Sequence, residues 1–89
     1  MTEPSPYASL YEFLRRLRSG DLAGALELGS DAAIRQAVDL GLDNPDLLLI
    51  AENAEGPQVI FYTQEAIQRL RAELTQRDGT WCVQTIVKL

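Results

Sequence analysis

The chain has 89 residues, one cysteine, no histidine and a formal net charge of −5. That length suits a single domain with a limited core, and a lone thiol without histidine excludes both an intrachain disulfide and a Cys/His zinc site. No apolar stretch approaches membrane-spanning length and Met1–Pro6 is polar and Pro-rich, not signal-like, so a reducing, cytoplasmic setting is expected.

In chain order, Met1–Pro4 is expected to be loose, and Ser5-Pro6 starts a helix, since Ser caps and Pro is tolerated at the first helical position. Leu10, Leu14 and Leu17 form its apolar stripe with Phe13 beside it. Arg15, Arg16 and Arg18 sit in the last turn, where they complement the helix dipole or meet an acidic partner. Gly20 closes this helix and Asp21 caps a short second one, Leu22–Leu28. Gly29 ends it; Ser30 or Asp31 opens a third, with Ala33, Ile34, Ala37, Val38 and Leu40 inward and Gly41 at its end. Asn44-Pro45-Asp46 reads as a turn. The single domain, 1–89, thus divides into a helical half, 5–42, and a sheet half, 46–89.

The sheet half opens on two short apolar runs, Leu47–Ala51 and Val59–Tyr62, with turn residues between them, the pattern of a β-hairpin. Thr63 caps a predicted fourth helix bearing Ala66, Ile67, Leu70 and Leu74 on one side; Asp78-Gly79 breaks it, and Thr80–Val87 is a last strand. The unbroken run Leu47–Ile50 suits a strand covered on both faces. The fold class expected is therefore α+β: three short N-terminal helices, then a β-β-α-β unit with a three-stranded antiparallel sheet in the order 2-1-3. A right-handed parallel crossover is the alternative.

Charge narrows the partners. Residues 19–55 carry eight carboxylates against Arg35 alone, a local charge of −7. An acidic centre argues against nucleic acid and anionic lipid and suits a basic protein surface or plain solubility. Chemistry finds no foothold. General acid–base work at neutral pH most often uses histidine. Cys82 lies beside Trp81 in a strand pattern with no activating base and reads as an inert packed thiol. The carboxylates lack metal-loop spacing and no Gly-rich phosphate loop is present. No catalytic, cofactor-binding or metal-ligating residue is predicted, and the chain is expected to be non-enzymatic.

The apolar excess of the sheet carries the functional reading. Val59 and Phe61 face one way and Ile60 and Tyr62 the other, while Trp81, Val83 and Val87 share one side and Cys82 and Ile86 the other. If every helix lies on one face, an apolar face is left for a partner. The residues expected to bind it are Val59, Phe61, Tyr62, Trp81 and Val83, the partner being another protein or a second copy in a homodimer. The reading is a small acidic protein-interaction or regulatory module. Its alternative is a DNA-associated regulator using the helix-turn-helix-like corner at residues 22–42, whose exposed face offers Asp31, Arg35, Gln36 and Asp39.

Residues 10–42, with Phe13-Leu14 and Leu17, the Leu22…Leu26 step and Ala33…Ala37 closing on Gly41, resemble the small nitrogen-fixation-associated domain family that also serves as the leader of ribosomally made peptide precursors. The resemblance implies a bacterial, cytosolic domain that docks on another protein. The chain departs from that family in having no Gly-Gly or Gly-Ala cleavage point after the helices and no Cys/Ser/Thr-rich core peptide, so no functional residue carries over.

Overall fold

Capping chemistry sets the helices. In the computed structural model, which describes residues 5–44, 48–53, 57–64 and 68–89, Ser5 Oγ accepts from the Ala8 amide at 3.1 Å and starts α1, Pro6–Arg18. Asp21 accepts from the Gly24 amide at 2.9 Å and starts α2, Leu22–Leu28. Ser30 accepts from the Ala33 amide at 3.0 Å and starts α3, Asp31–Asp39. Four strands follow: β1 Leu49–Asn53, β2 Gln58–Thr63, β3 Leu70–Arg77 and β4 Thr80–Lys88. They form one antiparallel sheet in sequential order, β1-β2-β3-β4.

The α+β class and the three N-terminal helices agree with the sequence reading. The β-β-α-β unit and the 2-1-3 order do not. The segment expected to be a fourth helix contributes strand β3, which pairs with β4 from Leu70↔Lys88 to Arg77↔Thr80; Ala66 and Ile67 lie outside the described residues. Two periodicities coincide here. Leu70 and Leu74 satisfy helix spacing, but Leu70, Ala72 and Leu74 also alternate with Arg71 and Glu73, and these three are the buried ones. The turn decides between them. Asp78 and Gly79 take φ of +53° and +80°, the double positive φ of a two-residue hairpin turn, for which Asp-Gly is a preferred pair. With β3 a strand, the sheet closes as a simple meander. Val59–Tyr62 becomes interior, and the first strand, expected at the centre, becomes an edge.

All three helices lie against one face of the sheet. Leu10, Phe13, Leu14 and Leu17 from α1, Ala25 from α2, Ala33 and Ala37 from α3, and Leu42 meet Val59, Phe61, Leu70, Ala72, Leu74, Val83 and Ile86 in one core. Arg16 ties α1 to α2, donating to the Gly24 carbonyl at 2.9 Å and pairing with Glu27 at 3.1 Å. Arg18 donates from Nε to the Leu42 carbonyl at 3.1 Å, closing the loop after α3 onto α1. The arginine group predicted at the helix end thus serves in part inside the fold.

The outer edge of β4 is occupied by the helical half. The Ser30 amide donates to the Val83 carbonyl at 3.0 Å, Ser30 Oγ donates to the Gln84 carbonyl at 2.8 Å, and Gln36 Oε1 accepts from the Ile86 amide at 2.8 Å. These contacts satisfy an edge that would otherwise be open to strand addition. Ser30 therefore caps α3 and binds β4 with one hydroxyl. Ser30→Ala is expected to destabilise the fold by about 2 kcal/mol, a cap and a part-buried hydrogen bond lost together. Urea unfolding monitored by circular dichroism checks this; a loss below about 0.5 kcal/mol would show that water replaces both bonds.

Candidate interaction surface

The remaining face of the sheet is set by strand alternation. Its positions are Ile50 and Glu52 on β1, Gln58, Ile60 and Tyr62 on β2, Arg71, Glu73, Thr75 and Arg77 on β3, and Thr85 and Val87 on β4; none is buried. Register places them in cross-strand rows. One row runs Ile60–Arg71–Val87, the next Gln58–Glu73–Thr85, and Ile50 stands opposite Tyr62. Beyond β4, the Leu89 amide donates to the Arg69 carbonyl at 3.1 Å, extending the pairing so that Leu89, 56% exposed, falls two residues along from Val87. Leu48, 61% exposed, likewise falls two residues from Ile50. Among the described residues, no helix covers this face.

Four of its charges are paired within the face. Arg69 Nη2 lies 2.8 Å from Glu52 Oε1 and Arg71 Nε lies 3.4 Å from Glu73 Oε1. The second is an ion pair without a hydrogen bond, and that Nε is sequestered from solvent with no acceptor among the described residues. Ile50, Glu52, Tyr62, Gln64 and Arg69 line a shallow open cleft of about 430 Å³ at one end of the face. A smaller one of about 220 Å³, lined by Asp39, Leu42, Thr63, Gln68 and Lys88 among others, sits where α3 ends over the sheet. The large electrostatic perturbation lies elsewhere. On α1, the Arg15 guanidinium, which donates to Glu12 at 2.9 Å, holds that carboxyl down at about 2.

Of the five residues predicted to bind a partner, Val59, Phe61 and Val83 are fully buried on the helix side. Trp81 is half-buried and packs against the core, and Tyr62 stands on the open face. The expected grouping of Val83 with Val87 fails at a β-bulge. Glu73 pairs with Thr85 but Leu74 with Val83, so Gln84 is an extra residue and Val83 joins Ile86 on the covered side. No family model, curated protein or solved structure matches the chain. Sequence reasoning did not single out Ile50, Arg69, Arg71 and Leu89 as part of the surface. The alternation of Leu70, Ala72 and Leu74 with Arg71 and Glu73 was the available signal. Cys82, expected to be inert, is buried, its Sγ 3.8 Å from the Glu27 carbonyl oxygen.

Proposed function

We propose that the chain is a non-enzymatic protein-interaction or regulatory module whose working surface is the open face of the sheet. One observation carries this reading: three helices cover one face while the other presents Ile50, Ile60, Tyr62 and Val87 in adjoining rows. Apolar residues interleaved with a few charges on a contiguous face are the composition of a recognition surface. The α2–α3 corner suits DNA less well, since Glu27, Asp31 and Asp39 are exposed there beside Arg35 and carboxylates repel phosphate. Among the described residues, no helix is long and apolar enough to cross a membrane.

Ile60→Lys puts an ammonium in the middle of the face without touching the core. It is expected to abolish association, whether read as self-association by sedimentation or as capture of another protein from host lysate, with the circular dichroism spectrum unchanged. Arg35→Glu, on the exposed side of α3, is expected to leave association intact. The opposite result, with Arg35→Glu disruptive and Ile60→Lys silent, would move the working surface to the helical corner.

A further inference from the structure

We infer that the occupant of the open face is a second copy of this chain, packed face to face across a two-fold axis. This rests on the interaction-module reading and names its partner.

Charge supplies the first argument. The face carries two carboxylates, Glu52 and Glu73, against three guanidiniums, Arg69, Arg71 and Arg77, on a chain of net charge −5. The excess negative charge therefore lies off this face. Two copies can approach through this nearly balanced patch with little like-charge repulsion, whereas a strongly basic or acidic partner meets only a weak field there. In a two-fold interface each patch meets itself, so residue i of one copy contacts j of the other and j contacts i. Arg71 and Glu73 occupy neighbouring outward positions on the interior strand β3, carry opposite charges and can exchange partners in that way.

The strand edges supply the second argument, by removing the other route to a sheet-mediated dimer. The edge of β4 is taken by Ser30 and Gln36. On β1, the Gln64 amide donates to the Leu48 carbonyl at 3.1 Å. In an antiparallel ladder, alternate residues bond to the same neighbour, so Ile50 also turns its backbone to β2. Leu49 and Ala51 are left pointing outward. The bulge between Ala51 and Asn53 then interrupts the edge. An edge this short, followed by a bulge, is a poor template for adding a strand, so self-association falls to the face.

Size sets the affinity. Four strands about 4.8 Å apart, with outward residues over about 20 Å of their length, give a face of roughly 400 Å² in projection. That is smaller than the ~800 Å² per partner of a standard interface. A face of this size belongs to the weak, transient class of interfaces.

Sedimentation equilibrium of the whole chain from about 5 to about 500 μM, a span chosen to bracket the affinity of a small interface, should show a monomer–dimer equilibrium. Tyr62→Lys should weaken it by at least about tenfold, with the circular dichroism spectrum retained. Arg71→Glu alone should weaken it by a similar factor, and adding Glu73→Arg should restore most of the loss, because the swap regenerates self-complementary charges. A monomer at every concentration would overturn the inference. So would a dimer that ignores all of these variants yet is lost with Ala51→Pro, which would place the contact at the β1 edge. If the chain stays monomeric but captures another protein through a contact that Tyr62→Lys removes, the second copy is excluded while the interaction-module reading stands. If neither occurs, both fall.

Discussion

Phe13→Ala should remove about 3–5 kcal/mol of stability, the range for truncating a fully buried aromatic side chain. Phe13 has no solvent exposure and belongs to the core that joins α1 to the sheet. Its ring also lies against Gly29, where α2 ends and the chain meets β4. Truncation therefore leaves a cavity at the junction of two helices and a strand, where three elements would have to move together to close it. A domain of this length has a net stability of roughly 4–13 kcal/mol, so the substitution removes about a fifth of the total or more. Urea denaturation should show the midpoint falling by at least about a fifth with an unchanged slope. Tyr11→Ala, two residues away but 49% exposed, should change stability by less than about 1 kcal/mol. Equal losses for the two variants would mean that the inner face of α1 is not packed as described.

Gly29→Val is the second large effect and tests the same junction from the other side. The backbone at Gly29 is extended, with φ of −163°, which any residue adopts, so conformational freedom is not the reason for glycine here. The reason is space. A Cβ at Gly29 would overlap Phe13 Cε1 and come within 2.7 Å of Cδ1. The ring is walled in by the core and cannot swing aside freely. Gly29 itself is held by its bridge to Val83, with the Ser30 amide on the Val83 carbonyl next to it. Adding a side chain must either displace the ring or lift the α2–α3 corner off the β4 edge, and overpacking of this kind costs about 1–3 kcal/mol or more. A double-mutant cycle separates steric conflict from a generic loss. Combined with Phe13→Leu, which makes room, Gly29→Ala should cost at least about 1 kcal/mol less than it does alone. Strict additivity of the two changes would show that the ring is not what excludes a side chain.

Part of this architecture was legible residue by residue. The three helices could be placed because each carries its own start signal: Ser5 before Pro6, Asp21 before Leu22 and Ser30 before Asp31. Each of these side chains bonds an amide only three residues away, and a local interaction leaves a local trace in sequence. The last strand was similarly plain from its β-branched and aromatic content. The surface was half legible. Tyr62 was named together with Val59 and Phe61 from one unbroken apolar run, and nothing local told which side of the strand the helices would cover, so Val59, Phe61 and Val83 could not be distinguished from surface residues.

What the sequence determined by itself was the α+β class, the caps of the three N-terminal helices, the acidic centre and the excess of apolar strand residues over what one sheet face needs. Tertiary structure alone decided three things. It made Leu70–Arg77 a strand, because Leu70 and Leu74 fit both periodicities and only pairing with β2 and β4 through the Asp78-Gly79 turn favours one. It turned Val83 inward, because a bulge at Gln84 shifts the alternation of β4 only when β3 lies beside it. And it left Ile50, Ile60, Tyr62 and Val87 uncovered, because the segment that might have shielded them as a helix supplies Leu70, Ala72 and Leu74 to the opposite face instead. Each depends on contacts between residues far apart in the chain, whose energies no local pattern records.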